Sequence, residues 1–392
     1  MAIPNFPNTA TTPNQEGSKE PAYLAQARAW NLSYLPDIKS ATLQAALPRL
    51  LSHPNIAAKR WRAGQTDHSG KAASSVEAGG DAGVIRVRME NTIRYLALAS
   101  GGNERFSYLN PRRGAQIALV ECLRRLACTG AAPLAMASRL NLAEPVSPGT
   151  SFSLRESIQG LKEAAHFFSL AEIGSGISLT GPIAGPAAGP ATVVSVIGQI
   201  ELEKYLTRQW AREAGDKLIL LGAAPTELGG SQYQGIIHQL NAGDAPQCDL
   251  AEAQKLHYVL PTLIKAGQVR AAHDISEGGL LCCVAEMLFA PGQALGATLD
   301  LATLQCSRLD ALLFGESQNR AIVIVGPERL GSVLADSHLR GVSAAVIGEV
   351  TAHPVLTLRG ATDGVVSWPV AELHRGWSTS LEHKLKTPGP IA

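Results

Sequence analysis

The stretch Ala272-His273-Asp274-Ile275-Ser276-Glu277-Gly278-Gly279-Leu280 places two carboxylates and two glycines ahead of a predicted helix. Asp274 and Glu277 have the spacing of a capping box, which predicts a helix that begins near Asp274. A helix N-terminus with close backbone access can also bind a phosphate, and two acids there would require a cation between, for which Mg²⁺ is the first candidate. The stretch therefore predicts either a structural helix cap or a Mg²⁺-dependent phosphate site.

The composition narrows the class of protein. A chain of 392 residues, with 45% apolar and 17% charged residues, is typical of a globular protein of about two domains. A net charge of +1 without a basic stripe argues against nucleic acid as a partner. None of the six cysteines forms a C-x-x-C pair, which disfavours zinc and disulfide frameworks and favours a cytoplasmic location. No apolar run is long enough for a membrane span, and residues 1–21 lack the apolar core of a secretion signal.

Changes of pattern along the chain predict its domain organisation. We expect a disordered N-terminal extension at 1–38, and a short helix with a linker at 39–78. A first folded domain is expected at 79–207 and a second at 208–385. Strands alternate with helices in both domains, which predicts an α/β (α+β) fold class built from layered domains.

The helix at 112–129 is the clearest single element. Ile117, Val120 and Leu123 belong to a set of apolar residues with a 3.6-residue period, and Gly130 is a natural stop. Further helices are expected at 41–51, 153–168 and 250–266. Strands are expected at 84–89, 94–99, 134–142, 173–179, 192–200, 217–222, 295–299, 321–325 and 344–350. The segment 181–190, rich in Gly and Pro, is expected to be a mobile loop.

Eight short segments follow one another along the chain. They are Leu51-Ser52-His53-Pro54-Asn55-Ile56-Ala57, Gly80-Asp81-Ala82, Tyr108-Leu109-Asn110-Pro111-Arg112-Arg113-Gly114, Leu126-Ala127-Cys128-Thr129-Gly130-Ala131-Ala132-Pro133-Leu134, Leu140-Asn141, Glu227-Leu228-Gly229-Gly230-Ser231, His273-Asp274-Ile275-Ser276-Glu277-Gly278-Gly279-Leu280, and Phe314-Gly315-Glu316-Ser317-Gln318. In this order and spacing they resemble the second half of phosphoribosylformylglycinamidine synthase, an amidoligase of purine biosynthesis. The resemblance covers about residues 43–385.

The resemblance implies an aminoimidazole ribonucleotide synthetase-like fold, with an N-terminal half-barrel domain and a C-terminal α/β domain. In this superfamily the half-barrel is closed by pairing with another such domain, and the full synthase carries two halves. An unpaired half-barrel exposes strand edges and an apolar face. We therefore expect a homodimer or a complex with a first-half synthase chain, with a glutaminase subunit as a possible source of ammonia.

The family reaction implies ATP and Mg²⁺ as cofactors and a small ribonucleotide as substrate. ATP phosphorylates the formyl amide oxygen and ammonia displaces the phosphate, so that catalysis consists of positioning and charge neutralisation. The catalytic histidines of the family lie in the first half. His68 and His273 match positions of the second half, so the catalytic residues of this chain stay unknown.

The resemblance also implies a set of site residues. Contacts to nucleotide or substrate are expected from Asp81, Ser178, Gly229, Gly230, Ser231, Glu316, Ser317 and Gln318, and Mg²⁺ ligands are expected to be Asp81, Asp274 and Glu277. Each has a plain structural alternative. Asp81 can cap a turn, residues 229–231 can form a tight turn, and residues 316–318 can be a polar loop before a strand.

Three departures from the family pattern weaken the expected Mg²⁺–ATP chemistry. Ala137 and Ser138 replace a Thr-Asp pair, Gly176 replaces an Asn that binds Mg²⁺, and a Thr-Thr-Asp motif is replaced near 99–101. Serine and glycine cannot supply the anionic oxygen that a hard cation prefers. The sequence therefore leaves three possibilities: a component of a split synthase, a non-catalytic scaffold that has lost Mg²⁺–ATP chemistry, or a diverged superfamily enzyme with another small substrate.

Overall fold

The computed structural model describes residues 20–59, 80–89, 92–143, 148–180, 191–224, 227–304, 306–360 and 364–386. Within them the chain forms two separate β-sheets with packed helices, so the predicted α/β (α+β) class is confirmed. Each predicted strand in the sequence overlaps an observed one, and observed ends differ from the predicted ends by a few residues.

The N-terminal sheet has five strands. These are β1 (Gly83–Met89), β2 (Thr92–Gly101), β3 (Ala132–Ala143), β4 (Ala171–Thr180) and β5 (Ala191–Ile200). Their order is β1-β2-β5-β3-β4, and neighbours are antiparallel except for the parallel pair β3 and β4. Helices Pro111–Cys128 and Pro148–Phe167 pack on one face of this sheet, and the short helix Glu104–Leu109 precedes the first of them. The sheet is open, with β1 and β4 at its edges.

The other face of the N-terminal sheet is apolar, and none of the described helices covers it. Along β2, Tyr95, Ala97 and Ala99 are buried against the helices, whereas Leu98 is 53% exposed. Leu98 lies directly opposite Ile197 of β5. Ile85 is paired with Leu96, two residues before Leu98, and Val193 lies four residues before Ile197, so both side chains are on the same face as Leu98. We call Ile85, Leu98, Val193 and Ile197 the open sheet face. An open sheet with one bare apolar face is the half-barrel that the family fold implies.

The C-terminal sheet has seven strands in the order β12-β11-β8-β10-β6-β9-β7. They are β6 (Lys217–Leu221), β7 (Ala271–Asp274), β8 (Gly296–Asp300), β9 (Ala321–Val325), β10 (Ala344–Thr351), β11 (Val355–Arg359) and β12 (Val366–Pro369). The helices of this domain are Gln232–His238, Leu250–Lys265, Gly279–Met287, Leu309–Phe314, Leu330–Leu339 and Val370–Lys386. Alternate residues of β6 and β9 enter two different hydrophobic clusters, so both faces of the sheet are covered at these two strands.

The N-terminal region differs in part from its prediction. Residues 20–38, expected to be disordered, contain helix Ala22–Arg28 and a short 3₁₀ turn at Leu32–Tyr34. Leu24 is fully buried there, and this single anchor gives too weak a pattern to be recognised in the sequence. The predicted helix at 41–51 is confirmed as Ser40–Leu51, and its apolar residues join the core of the C-terminal domain. Residues 1–19, the linker residues 60–79 with His68, and the loop 181–190 lie outside the described residues.

The helix Pro111–Cys128 connects the two domains. Its Leu119 and Leu126 pack under the N-terminal sheet, whereas Ala127 and Cys128 at its end pack among residues of helix Leu250–Lys265. The thiols of Cys122, Cys128, Cys282 and Cys283 are buried and form no disulfides. Among the described helices, none combines the length and apolar composition needed to cross a membrane.

We expect Leu123→Ala to lower the free energy of unfolding by about 2–5 kcal/mol, because it leaves a cavity in the main cluster of the N-terminal domain. Urea unfolding followed by circular dichroism would measure the change. Leu339→Ala, at a side chain that is 82% exposed, is the control and should change stability by less than about 0.5 kcal/mol. Equal effects of the two substitutions would contradict the assignment of the core.

Candidate functional site

The predicted capping box at Asp274 is wrong. Strand β7 ends at Asp274, and the helix begins only at Gly279, with Gly278 as its N-cap residue. Gly278 and Gly279 both have positive φ angles, 83° and 71°. A Cβ on Gly279 would lie 2.7 Å from the backbone of Phe314, so the chain can turn here only with glycine. Residues 274–278, the Asp274 turn, therefore form a link between strand and helix.

Asp274 is buried between two arginines of helix Pro111–Cys128. Its Oδ1 accepts a hydrogen bond from Nε of Arg124, and its Oδ2 lies 3.3 Å from Nε of Arg125. Arg124 has no exposed side-chain surface, and it also donates to Oε1 of Gln318 at 3.1 Å. Burial would raise the pKa of Asp274, but the two guanidiniums hold it below its ordinary value. The carboxylate of Asp274 therefore forms buried ion pairs with the N-terminal domain.

Arg125 also pairs with the carboxylates of Glu121 and Glu277. Its Nη2 donates to Oε1 of Glu121 and to Oε2 of Glu277, the latter at 3.3 Å. Its Nη1 donates to the carbonyl oxygen of Ser100 on β2 at 2.9 Å. Burial raises the pKa of Glu121 to about 7, against the lowering effect of Arg125. One guanidinium thus binds carboxylates from both domains.

Asp81 is held by a histidine. Its Oδ1 lies 2.9 Å from Nδ1 of His273, and its Oδ2 accepts the backbone N–H of Asp274 at 3.4 Å. Nε2 of His273 lies 3.1 Å from Glu286, whose other oxygen accepts from Trp377 Nε1. Burial lowers the pKa of His273, but the two carboxylates outweigh it and raise the pKa to about 10. The ring is therefore an imidazolium at neutral pH that donates from both nitrogens, and it cannot act as a general base there.

The predicted segment 316–318 also binds the protein itself. Oε1 of Glu316 accepts the backbone N–H groups of Gln232 and Gly278 at 2.7 and 2.8 Å, whereas its Oε2 has no hydrogen-bond partner among the described residues. Burial raises the pKa of Glu316 to about 8 despite these hydrogen bonds. The hydroxyl of Ser317 donates to Glu227 at 2.6 Å. Glu316 thus connects the Asp274 turn with the first residue of helix Gln232–His238, directly after the loop that precedes this helix.

That loop carries the predicted residues Gly229, Gly230 and Ser231. Ser231 is the N-cap of the helix, and its hydroxyl accepts the N–H of Gln234 at 3.2 Å. The N–H of Gly230 donates to Oε1 of the same Gln234 at 3.1 Å. The loop is therefore a tight turn with two of its polar groups already bonded. Ser178, the other predicted contact, lies on edge strand β4 and accepts from Arg139 at 3.1 Å.

A polar cleft lies beside these groups. It consists of two adjoining cavities of about 280 and 150 Å³ that share Asn55 and Glu277 as lining residues. The larger cavity is lined on its other side by residues 102–105 and 191–193, which belong to the N-terminal domain. The smaller one includes Asp81, Arg125 and His273. Of the predicted site residues, the cleft brings together Asp81 and Glu277.

The donor set around the Asp274 turn does not fit a hydrated Mg²⁺ as it stands. Asp81, Asp274 and Glu277 are close together, but His273, Arg124 and Arg125 already neutralise them. In the part of the chain that the structure describes, no three His, Cys, Asp or Glu side chains are arranged to hold a metal ion. Their role as metal ligands stays a prediction from the sequence.

The sequence pattern did not single out Glu121, Arg124, Arg125 and Glu286. A signal was present, because Arg124 and Arg125 interrupt the apolar face of a helix whose residues are almost all buried. Arginine is rarely buried without a partner. Two adjacent arginines in such a helix therefore predict buried acids on a neighbouring element, although they do not say which ones.

We expect His273→Gln to remove a pH-dependent part of the stability. The folded pKa of His273, about 10, lies above its unfolded value near 6.5, so this stabilisation is complete below about pH 6.5 and is lost as the pH rises towards 10. The difference in melting temperature between wild type and variant should therefore be largest near pH 6 and shrink towards pH 10. A difference that is constant over this range would show that His273 is not charged.

Two family models match the chain. The N-terminal domain of AIR synthase related proteins matches residues 79–200, and the C-terminal domain of the same proteins matches residues 213–360. Together they cover most of the chain and both sheets. The phosphoribosylformylglycinamidine synthase subunit PurL of Moorella thermoacetica is 36% identical over 365 residues, which are 93% of this chain and 48% of that protein. The chain thus spans about half the length of this curated relative.

Solved structures show the same fold. Thermotoga maritima PurL complexed with FGAR has a TM-score of 0.65 and 20% identity, over 85% of this chain and 53% of that one. The same protein complexed with ATP has a TM-score of 0.58 and 20% identity, over 91% and 53% of the two chains. At this identity the structures support the fold alone, and the two family models establish the family. The chain belongs to the AIR synthase related family and is a relative of phosphoribosylformylglycinamidine synthase subunit PurL.

Proposed function

We propose that this chain acts as the second-half component of a phosphoribosylformylglycinamidine synthase in purine biosynthesis. The observation that carries the proposal is 36% identity to a PurL subunit over 93% of the chain. In the assembled ligase, ATP would phosphorylate the formyl amide oxygen of the ribonucleotide and ammonia would displace that phosphate. Because the chain matches about half of its relative, the complete reaction needs a first-half chain, and a glutaminase subunit can supply the ammonia.

The open sheet face is the proposed contact with that partner. Leu98 and Ile85 are about half exposed, at 53% and 47%, and lie on neighbouring strands. Exposed apolar patches of this kind on a sheet are typical of protein interfaces. A first-half chain or a second copy of this chain would cover the face and complete the barrel that the fold implies.

We place ATP chemistry in the assembled ligase and assign no catalytic residue to this half. Ser317 and Gln318 line a cavity of about 390 Å³, which supports their proposed role as substrate contacts. However, Glu227, Asp249 and Glu252 line the same cavity and would oppose a phosphate there. These acids agree with our proposal that the reaction takes place at the site of the first-half partner and that this chain supports it there.

A non-catalytic scaffold is the second candidate function. It is favoured by Ser138 and Gly176, which stand where the family has metal ligands. The hydroxyl of Ser138 donates to Glu172 at 2.5 Å, and beside Gly176 there is open space. Such a protein would keep the partner surface without supporting turnover.

Reconstitution separates the two functions. The chain would be mixed with the separately expressed first half of Moorella thermoacetica PurL and assayed with ATP, FGAR and ammonium. We expect formation of amidine and ADP with both chains together and none with either alone. A stable complex without turnover would support the scaffold, and turnover by this chain alone would contradict the need for a first half.

We expect the wild-type chain to sediment as a dimer at micromolar concentration when no partner is present, because the open sheet face would otherwise contact water. Leu98→Asp places a charge at the centre of this face and should shift the chain to a monomer in sedimentation velocity. Leu339→Asp, on an exposed helix of the other domain, is the matched control and should leave the dimer intact. A monomeric wild-type chain would contradict self-association.

A further inference from the structure

We propose that the guanidinium of Arg125 takes the place of a divalent cation at the Asp274 turn, so that this turn is held together without a metal and does not bind Mg²⁺. This role of Arg125 does not depend on the function proposed above and involves only residues of this chain.

Oxygens from several elements converge on Arg125. Carboxylate oxygens of Glu121, Asp274 and Glu277 contact its guanidinium, together with the carbonyl oxygen of Ser100. The hydroxyl of Ser276 adds a fifth oxygen at 3.5 Å. Carboxylate, carbonyl and hydroxyl oxygens from separate elements are the ligands that Mg²⁺ and Mn²⁺ prefer. The structure thus has an oxygen set suited to a hard cation, and an arginine occupies its centre.

Arg125 and a divalent cation would repel each other at this site. The side chains of Asp274 and Glu121 are 1% and 5% exposed, and that of Arg125 is 18% exposed. A divalent cation bound to the same carboxylates would lie within a few ångströms of the guanidinium, in a region with little solvent screening. Repulsion between charges of the same sign is strong there. The arginine and the metal therefore exclude each other.

The neighbouring carboxylates are neutralised in the same way. The other oxygen of Asp274 is paired with Arg124, whose side chain has no exposed surface. Asp81 is paired with His273. Each acid that the sequence suggested as a metal ligand therefore has a cation of the protein itself as partner. The cationic side chains already neutralise these buried carboxylates. If they were removed, the carboxylates would be left as uncompensated negative charge.

The ion pairs of Arg125 join the two domains. Arg125 and Glu121 lie on the helix Pro111–Cys128 of the N-terminal domain, whereas Asp274 and Glu277 follow β7 of the C-terminal domain. A metal at this point would join the domains only while it stays bound. A covalently attached guanidinium joins them in the presence of chelators as well.

Titration with Mn²⁺ alone tests the proposal, with free Mn²⁺ measured by electron paramagnetic resonance. We expect the full-length wild type to remove no Mn²⁺ from solution at a protein concentration of about 100 µM, and its melting temperature to be equal in EDTA and in Mg²⁺. Arg125→Asn removes the cation and offers an amide oxygen in its place. This variant should bind Mn²⁺ at least about tenfold more tightly than the wild type, and Mn²⁺ should raise its melting temperature.

Two further variants make the outcome specific. Arg125→Met removes the charge without adding a ligand, and it should bind Mn²⁺ more weakly than Arg125→Asn. The double variant Arg125→Asn/Glu121→Gln should lose the gained affinity. The proposal is overturned if the wild type binds Mn²⁺ and Glu277→Gln abolishes this binding, or if folded Arg125→Asn binds no better than the wild type. Should Arg125→Asn not fold, the wild-type titration and its response to EDTA still decide.

Discussion

The buried ion pair between Arg124 and Asp274 is the interaction on which the arrangement of the two domains depends. Taking both charges out of water costs several kcal/mol for each ion, so the pair is stable only with good geometry and additional hydrogen bonds. Gln318 and the carbonyl of Ile275 accept the remaining donors of Arg124. Helix Pro111–Cys128 and the end of β7 therefore have to lie in one relative position, and this position also brings Arg125 to Glu277.

This constraint explains why the residues around the Asp274 turn bind mostly to one another. The side chain of Asp81 binds His273, and Glu316 binds the backbone of the turn itself at Gly278. Groups that are used for internal contacts are not available for a ligand without losing those contacts. The turn is therefore a junction between the two domains.

The two sheets differ in how completely they are covered. Both faces of β6 and β9 pack in hydrophobic clusters, so the C-terminal domain buries this part of its sheet on both sides. The N-terminal sheet has helices on one face and leaves Leu98 and its neighbours on the other in contact with water. The physical cost of this exposed apolar surface would favour the association with a second sheet that we propose.

The sequence by itself determined the family and many of the local elements, but not the helix Ala22–Arg28 or the strand that ends at Asp274. Helix Pro111–Cys128 was predictable because its apolar period and Gly130 are local signals, and the order of eight motifs pointed to the synthase relatives. Only the tertiary structure decided the chemistry of the site. The partner of Arg124 lies 150 residues away, and the helix after Asp274 begins at Gly279 because Gly278 and Gly279 fit against another segment. Burial and pairing of charge depend on such distant contacts, which no local pattern encodes.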